Sequence, residues 1–132
     1  MIVDTSVWID FFNGYPSEQA RTLAQAIDDN LTIGIPGLVL TEILLGLKND
    51  VEAKRIAHLL EAFTAVLEPN RADHIAAAAL YRTCRARGVT IRSTIDCVIA
   101  QLCMRDGQAL LAKDRDFERI AEQVELKLVT VR

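Results

Sequence analysis

Basic residues are too few to make this a cationic molecule: 15 lysines and arginines face 18 acids, the formal charge is −3 and the pI is about 5.3. A whole-surface attraction for nucleic acid is therefore excluded, and any polyanion has to meet a local patch. Histidine is almost missing. His58 and His74 are too far apart for a helix-borne pair of zinc ligands and have no cysteine nearby to help them. Cysteine is scarce and odd in number: Cys84, Cys97 and Cys103 form no C-x-x-C pair, which argues against a disulfide framework and a thiolate zinc site. Reduced, buried thiols are expected instead. Long apolar runs are also lacking, since stretches such as IGIPGLVL fall well short of the roughly 18 residues a membrane span requires. No basic n-region of a secretory signal opens the chain, so a soluble protein of the cytoplasm, with no membrane contact, is expected. With only three prolines and six glycines among 51% hydrophobic residues, the composition is that of a packed chain rather than a disordered one.

What the chain does have is alternation. Its 132 residues suit one domain spanning 1–132. Residues 1–4 read as a short buried strand, and 5–13 as a helix with Trp8, Phe11 and Phe12 at helical spacing, broken by Asn13, Gly14 and Pro16. Ser17 caps a second helix running to about Asn30, and TIGI at 32–35 predicts a second strand. Pro36 and Gly37 lead into the helical run LVLTEILLGL, and Asn49 with Asp50 opens another helix through about Phe63. TAVLEP predicts a third strand, followed by the helix DHIAAAALYRTCRARG with its stop at Gly88. The helix STIDCVIAQLCMRDG, the strand ALLA at 109–112, the helix DRDFERIAEQ and a fifth strand, LKLVTV, complete the pattern. Short, apolar strands alternating with helices predict an α/β fold, a parallel sheet covered on both faces.

The acids fall at telling places in that pattern. Ligands of such sheets bind beyond the carboxyl ends of the strands, and Asp4 ends the first strand while Asp114 follows the fourth, with Asp116 in the next first turn. An aspartate between strand and helix is also a good N-cap, contributing about 1 kcal/mol without any chemistry. Ser93 and Asp96 have the spacing of a capping box, so STID is open to the same reading. Glu42 is different. Its neighbours Leu38, Val39, Leu40, Ile43, Leu44 and Leu45 leave almost no polar face, and a carboxylate there needs a cation, strong donors or a proton. Lys48, six positions on, is in poor helical register to serve as that cation. Should Asp4, Glu42, Asp96, Asp114 and Asp116 converge, their repulsion would raise their pKa values unless a divalent cation sat among them, and hard oxygen ligands suit Mg²⁺ or Mn²⁺.

In this ordered set the sequence resembles the PIN domains, and most closely the VapC-type toxins of toxin-antitoxin pairs. MIVDTSVWID is similar to that family's first acidic motif, TEILLGL to its second, STIDCVIA to its third and KDRDF to its last. The resemblance spans nearly the whole chain. It implies a three-layer α/β/α fold on a five-stranded parallel sheet ordered 3-2-1-4-5, with Asp4 beside the switch point. It further implies a metal-dependent endoribonuclease in which Asp4, Glu42, Asp96 and Asp114 are catalytic. By the same resemblance Asp4, Asp96, Asp114 and Asp116 hold Mg²⁺ or Mn²⁺, and cleavage leaves a 5′-phosphate and a 3′-hydroxyl. The implied partners are an RNA substrate, a small VapB-type antitoxin that silences the toxin's block on translation, and a second copy in a homodimer.

Around these acids, Thr5, Ser6 and Ser93 are candidates to orient ligands or phosphate oxygens, with capping as the alternative use. Arg82, Arg85, Arg87 and Arg92 form the one basic concentration, from which Arg85 and Arg92, together with Lys48, are candidates to hold the RNA backbone. A solvated helix face is the competing reading. The aromatics Trp8, Phe11, Phe12 and Tyr15 suit core or interface packing better than base stacking, and the leucine-rich stretch 38–63 could offer an antitoxin groove. Two rivals are a PIN nuclease of ordinary RNA processing and a Mg²⁺-binding receiver or phosphatase-like domain. The latter needs a phospho-accepting aspartate that the third strand, ending in Glu68 and Pro69, does not supply.

Overall fold

A computed structural model describes residues 1–131. Along them run β1 (Ile2–Val3), α1 (Thr5–Asn13), α2 (Glu18–Asp28), β2 (Gly34–Ile35), α3 (Gly37–Leu45), α4 (Asp50–Leu60), β3 (Thr64–Ala65), α5 (Arg71–Ala86), α6 (Thr94–Arg105), β4 (Leu110–Leu111) and α7 (Arg115–Gln123). Every strand pair is parallel, and the order across the sheet is β3-β2-β1-β4. The α/β class and this order agree with the sequence reading, but the strands are much shorter than expected.

The expected fifth strand, LKLVTV, reduces to one parallel bridge between Leu128 and Leu110 beside β4. The reason lies in how a parallel strand shares its amides. Ala109 and Leu111 spend their carbonyls on Ile2 and Asp4 of the β1 side, so Leu110 is left to face outward, donating to Lys127 O and accepting from Val129 N. A β4 of only two residues has no further outward-facing residue with which to extend the ladder.

The chain moves in one direction from β1 to β2 to β3, then crosses back over the sheet to β4. Right-handed crossovers put the helices of those two journeys on opposite faces. The packing follows suit: α1 lies against α2 and α3, and α3 against α4, while α5 packs on α6 and both meet α7. Between these layers lies a core that includes Val3, Val7, Trp8, Leu23, Val39, Ile99, Leu110, Leu111, Phe117 and Ile120, all fully buried.

Helix ends follow local chemistry. Ser17 accepts from Ala20 N at 3.1 Å and Asn49 from Glu52 N at 2.9 Å, as capping residues should. The long α5 begins earlier than its apolar run suggests, because Asn70 and Asp73 form a reciprocal capping box. Gly14 closes α1 in the left-handed region, φ 68°, where a side chain would be strained. Trp8 stacks on Phe12 and meets Phe11 and Phe63 edge-on, so packing accounts for that aromatic group, while Tyr15 stays exposed. All three cysteines are buried free thiols, and burial pushes Cys97 up to about 11 and Cys103 up to about 12. Among the described residues, no helix is long and apolar enough to cross a membrane.

Candidate active site

The order reverses between β1 and β4, and their carboxyl ends lie side by side at one edge of the sheet. Asp4 follows β1 directly and its amide donates to Leu111 O at 2.9 Å, which locks the end of β1 to the end of β4. Asp114 and Asp116 follow β4 into the first turn of α7, and Asp96 lies in the first turn of α6. From α3, on the other face, the half-buried Glu42 reaches Thr5, whose hydroxyl donates to Oε1 at 2.9 Å.

Capping explains one of these acids. Asp114 accepts from Asp116 N at 2.9 Å and is a true N-cap of α7. Asp4 occupies the N-cap position of α1 yet makes no side-chain capping bond, and Ser93 makes none for α6, so STID does not form a capping box. Instead Ser6 Oγ donates to Asp4 Oδ2 at 3.1 Å. Glu42 finds its donor in Thr5 rather than in a cation, and Lys48 is exposed beyond the end of α3.

Asp96, Asp114 and Asp116 each offer a carboxylate oxygen within 4.8 Å of the others. Asp4 and Glu42 complete the group through space. Burial, and then the charges of Asp4, Asp114, Asp116 and Glu42 in that order, push the Asp96 carboxyl up to about 7. Asp4, only 6% exposed, is also raised by burial, with the Thr5 amide and then the Ser6 hydroxyl opposing the rise and Glu42 adding to it. Side chains from four separate stretches of chain thus share one field, which is the convergence that the strand ends foreshadow.

The donor set fits a hard divalent cation. It is all carboxylate, with no imidazole or thiolate, and oxygens around Mg²⁺ at about 2.1 Å lie roughly 3–4 Å apart, so only a small closure is needed. Asp116 adds a more pointed sign. Its side chain is 2% exposed, yet Oδ1 is buried without any hydrogen-bond partner. An orphaned carboxylate oxygen is costly unless something cationic answers it, and the Arg119 guanidinium stands 3.8 Å from this one.

The basic concentration does not act as one patch. Arg85 lies over the Tyr81 ring at 5.6 Å, and Arg87 donates to Gln123 O at 2.7 Å, at the end of α7. Arg82 lines a groove of about 430 Å³ between α5 and α6 together with Tyr81 and Thr94. Only Arg92 reaches the acids, donating from its backbone amide and Nε to Asp116 Oδ2 at 3.2 and 3.3 Å and from Nη2 to Asp114 Oδ1 at 3.5 Å. The sequence reading missed that fork, because 24 residues separate Arg92 from Asp116 and no local spacing announces it. Lys113, next to Asp114, grips Asp10 of α1 at 2.7 Å.

Comparisons with known proteins agree with this architecture. A family model described as PIN domain matches residues 1–123. VapC ribonuclease Mb1587 of Mycobacterium bovis and Ribonuclease VapC11 of Mycobacterium tuberculosis are each 29% identical over 133 residues, covering 100% of this chain and 99% of the relative. Among solved structures, a chain of VapBC2 from Rickettsia felis, bound to a DNA fragment from their promoter, has a TM-score of 0.77 at 19% identity, covering 99% of this chain and 98% of that one. A chain of VapBC-1 from nontypeable Haemophilus influenzae has a TM-score of 0.73 at 21% identity, covering 97% and 95%. At those identities the structural likeness speaks for the fold.

Proposed function

Because the chain belongs to the PIN domain family, we propose that it is a VapC-type endoribonuclease, the toxin of a toxin-antitoxin pair, acting in the cytoplasm as one domain. The observation that carries this reading is the meeting of Asp96, Asp114 and Asp116 within 4.8 Å, with Asp4 and Glu42 near enough to raise the Asp96 pKa. The full-length match to two VapC ribonucleases supports the choice of RNA as substrate.

Asp4, Asp96 and Asp114 are the proposed ligands of Mg²⁺ or Mn²⁺, with Asp116 beside them and Glu42 as a ligand or as the holder of a water. A bound divalent cation would supply Lewis-acid stabilisation of phosphate charge and a water of lowered pKa. The chain's own work is placement. Ser6 holds Asp4 and Thr5 holds Glu42, each hydroxyl donating to one carboxylate oxygen. Asp4 and Asp116 are buried and the other acids half-buried, which limits screening by water and strengthens the charges acting there.

The proposed partners are a small VapB-type antitoxin and a second copy of this chain. Leu45, Val51 and Leu59 of α3 and α4 are exposed apolar side chains and support an antitoxin surface along that pair. The test is cleavage of a structured RNA by purified protein, with Mn²⁺ and with chelator, beside the Asp96→Asn variant. Activity that survives chelation or the substitution rejects the mechanism. A short neighbouring gene for a DNA-binding antitoxin would favour the toxin over a housekeeping nuclease.

A further inference from the structure

We infer that Arg92 is a positioning residue of the acid site, a clamp that holds the outer oxygens of Asp114 and Asp116 so that their other oxygens converge with Asp96. The inference rests on the reading of the acid cluster as a cation site, and it gives Arg92 a different task from the RNA contact that its position suggests.

Three features carry it. First, the fork spans both acids: Nε takes Asp116 Oδ2 while Nη2 takes Asp114 Oδ1, leaving one oxygen of each carboxylate outside the guanidinium's grasp. Asp116 Oδ1 is one of these, and it is buried and without a hydrogen-bond partner. Second, the direction of the fork is set by the backbone. The buried Ile91 anchors the loop before α6, and the adjacent Arg92 amide donates to the same Asp116 oxygen that Nε takes, so the side chain leaves a fixed point. Third, the side chain is 75% exposed, and an ion pair so open to water adds little to stability. What the fork does provide is geometry, since it ties the segment carrying Asp96 to the segment carrying Asp114 and Asp116.

Lysine could replace the charge but not the two-pronged reach, because a single ammonium lacks the planar fork. Residues that orient metal ligands typically cost 10–100-fold in metal affinity when removed, and Arg92→Ala is expected to weaken Mn²⁺ binding by about that factor. Titration calorimetry with Mn²⁺ alone, on the full chain, reads this directly. The metal-free melting temperature should hardly move, and Arg92→Lys should recover less than half of the loss on a logarithmic scale. Wild type that binds Mn²⁺ with Arg92→Ala equally tight overturns the clamp alone, as does full rescue by lysine. Tighter binding in the alanine variant overturns it too, by making Arg92 a competitor of the cation. Unchanged Mn²⁺ affinity with weakened RNA binding would return Arg92 to a phosphate contact. A wild type that binds no Mn²⁺ overturns the cation site, and the clamp with it.

Discussion

Asp73 and Asp96 belong to helices packed against each other, α5 and α6, the first buried and the second half-buried, yet they are in opposite electrostatic states. Asp73 is answered on every side. It accepts from Asn70 N, from Gln101 and, at 2.7 Å, from Arg105, and the Asn70 amide leads these donors in holding its pKa below the ordinary carboxylate range despite burial. Asp96 meets burial and four carboxylates, and is pushed up to about 7. The first arrangement joins the start of α5 to the end of α6 and completes itself. The second leaves Asp96 among like charges, as the proposed cation site requires and a structural ion pair does not.

Removing each carboxylate should expose this difference most strongly. Asp96→Asn is expected to reduce Mn²⁺-dependent RNA cleavage by roughly 100-fold or more, beyond the loss of a mere orienting group, without lowering the melting temperature of the metal-free protein. Asp73→Ala should do the reverse: a lower melting temperature, because Arg105 loses its buried partner, with cleavage per folded molecule unchanged. Circular dichroism melts beside cleavage assays would show it, and a swap of these phenotypes would sink the comparison.

The two acids should also bend stability in opposite directions with pH. Asp96 binds its proton more tightly folded than unfolded, so in chelator its share of stability is present near the ordinary 3.8 and is lost as pH rises toward about 7. Asp73 binds its proton less tightly folded, so its share is present above the ordinary range and is lost as pH falls through its folded value. Melting curves across this range should therefore flatten on the neutral side in Asp96→Asn and on the acid side in Asp73→Ala, and adding Mn²⁺ should flatten the neutral side in wild type.

Smaller effects follow further out. Thr5→Val leaves Glu42 without its hydroxyl donor and is expected to slow cleavage about tenfold in single-turnover assays, with the fold intact. Arg85→Ala, which removes only an exposed cation from the Tyr81 ring, should change stability by no more than about 0.5 kcal/mol in denaturant titration.

The parts of the site that were legible in sequence are those with local signatures. Strand-end placement marked Asp4 and Asp114, and an apolar helix with no basic residue in register marked Glu42. Capping propensity left Asp4, Asp96 and Asp114 ambiguous, because the same residue types satisfy helix amides and cations alike; the geometry assigns a capping bond to Asp114 and none to Asp4 or Ser93. The fifth strand was over-read. Its alternating apolar pattern is real, but a strand forms only where a neighbour offers free amides, and β4 offers those of Leu110 alone.

Residue order therefore carried the helices, the caps at Ser17 and Asn49, the parallel class and the acids' positions along the chain, since periodicity, capping and strand-end chemistry act within a few neighbouring residues. Long-range packing settled the rest: which carboxylates feel one another, that Thr5 rather than a cation meets Glu42, and that Arg92 grips Asp114 and Asp116. Charges interact through space and not along the chain, so groups dozens of residues apart become neighbours only once the sheet has brought its strand ends together.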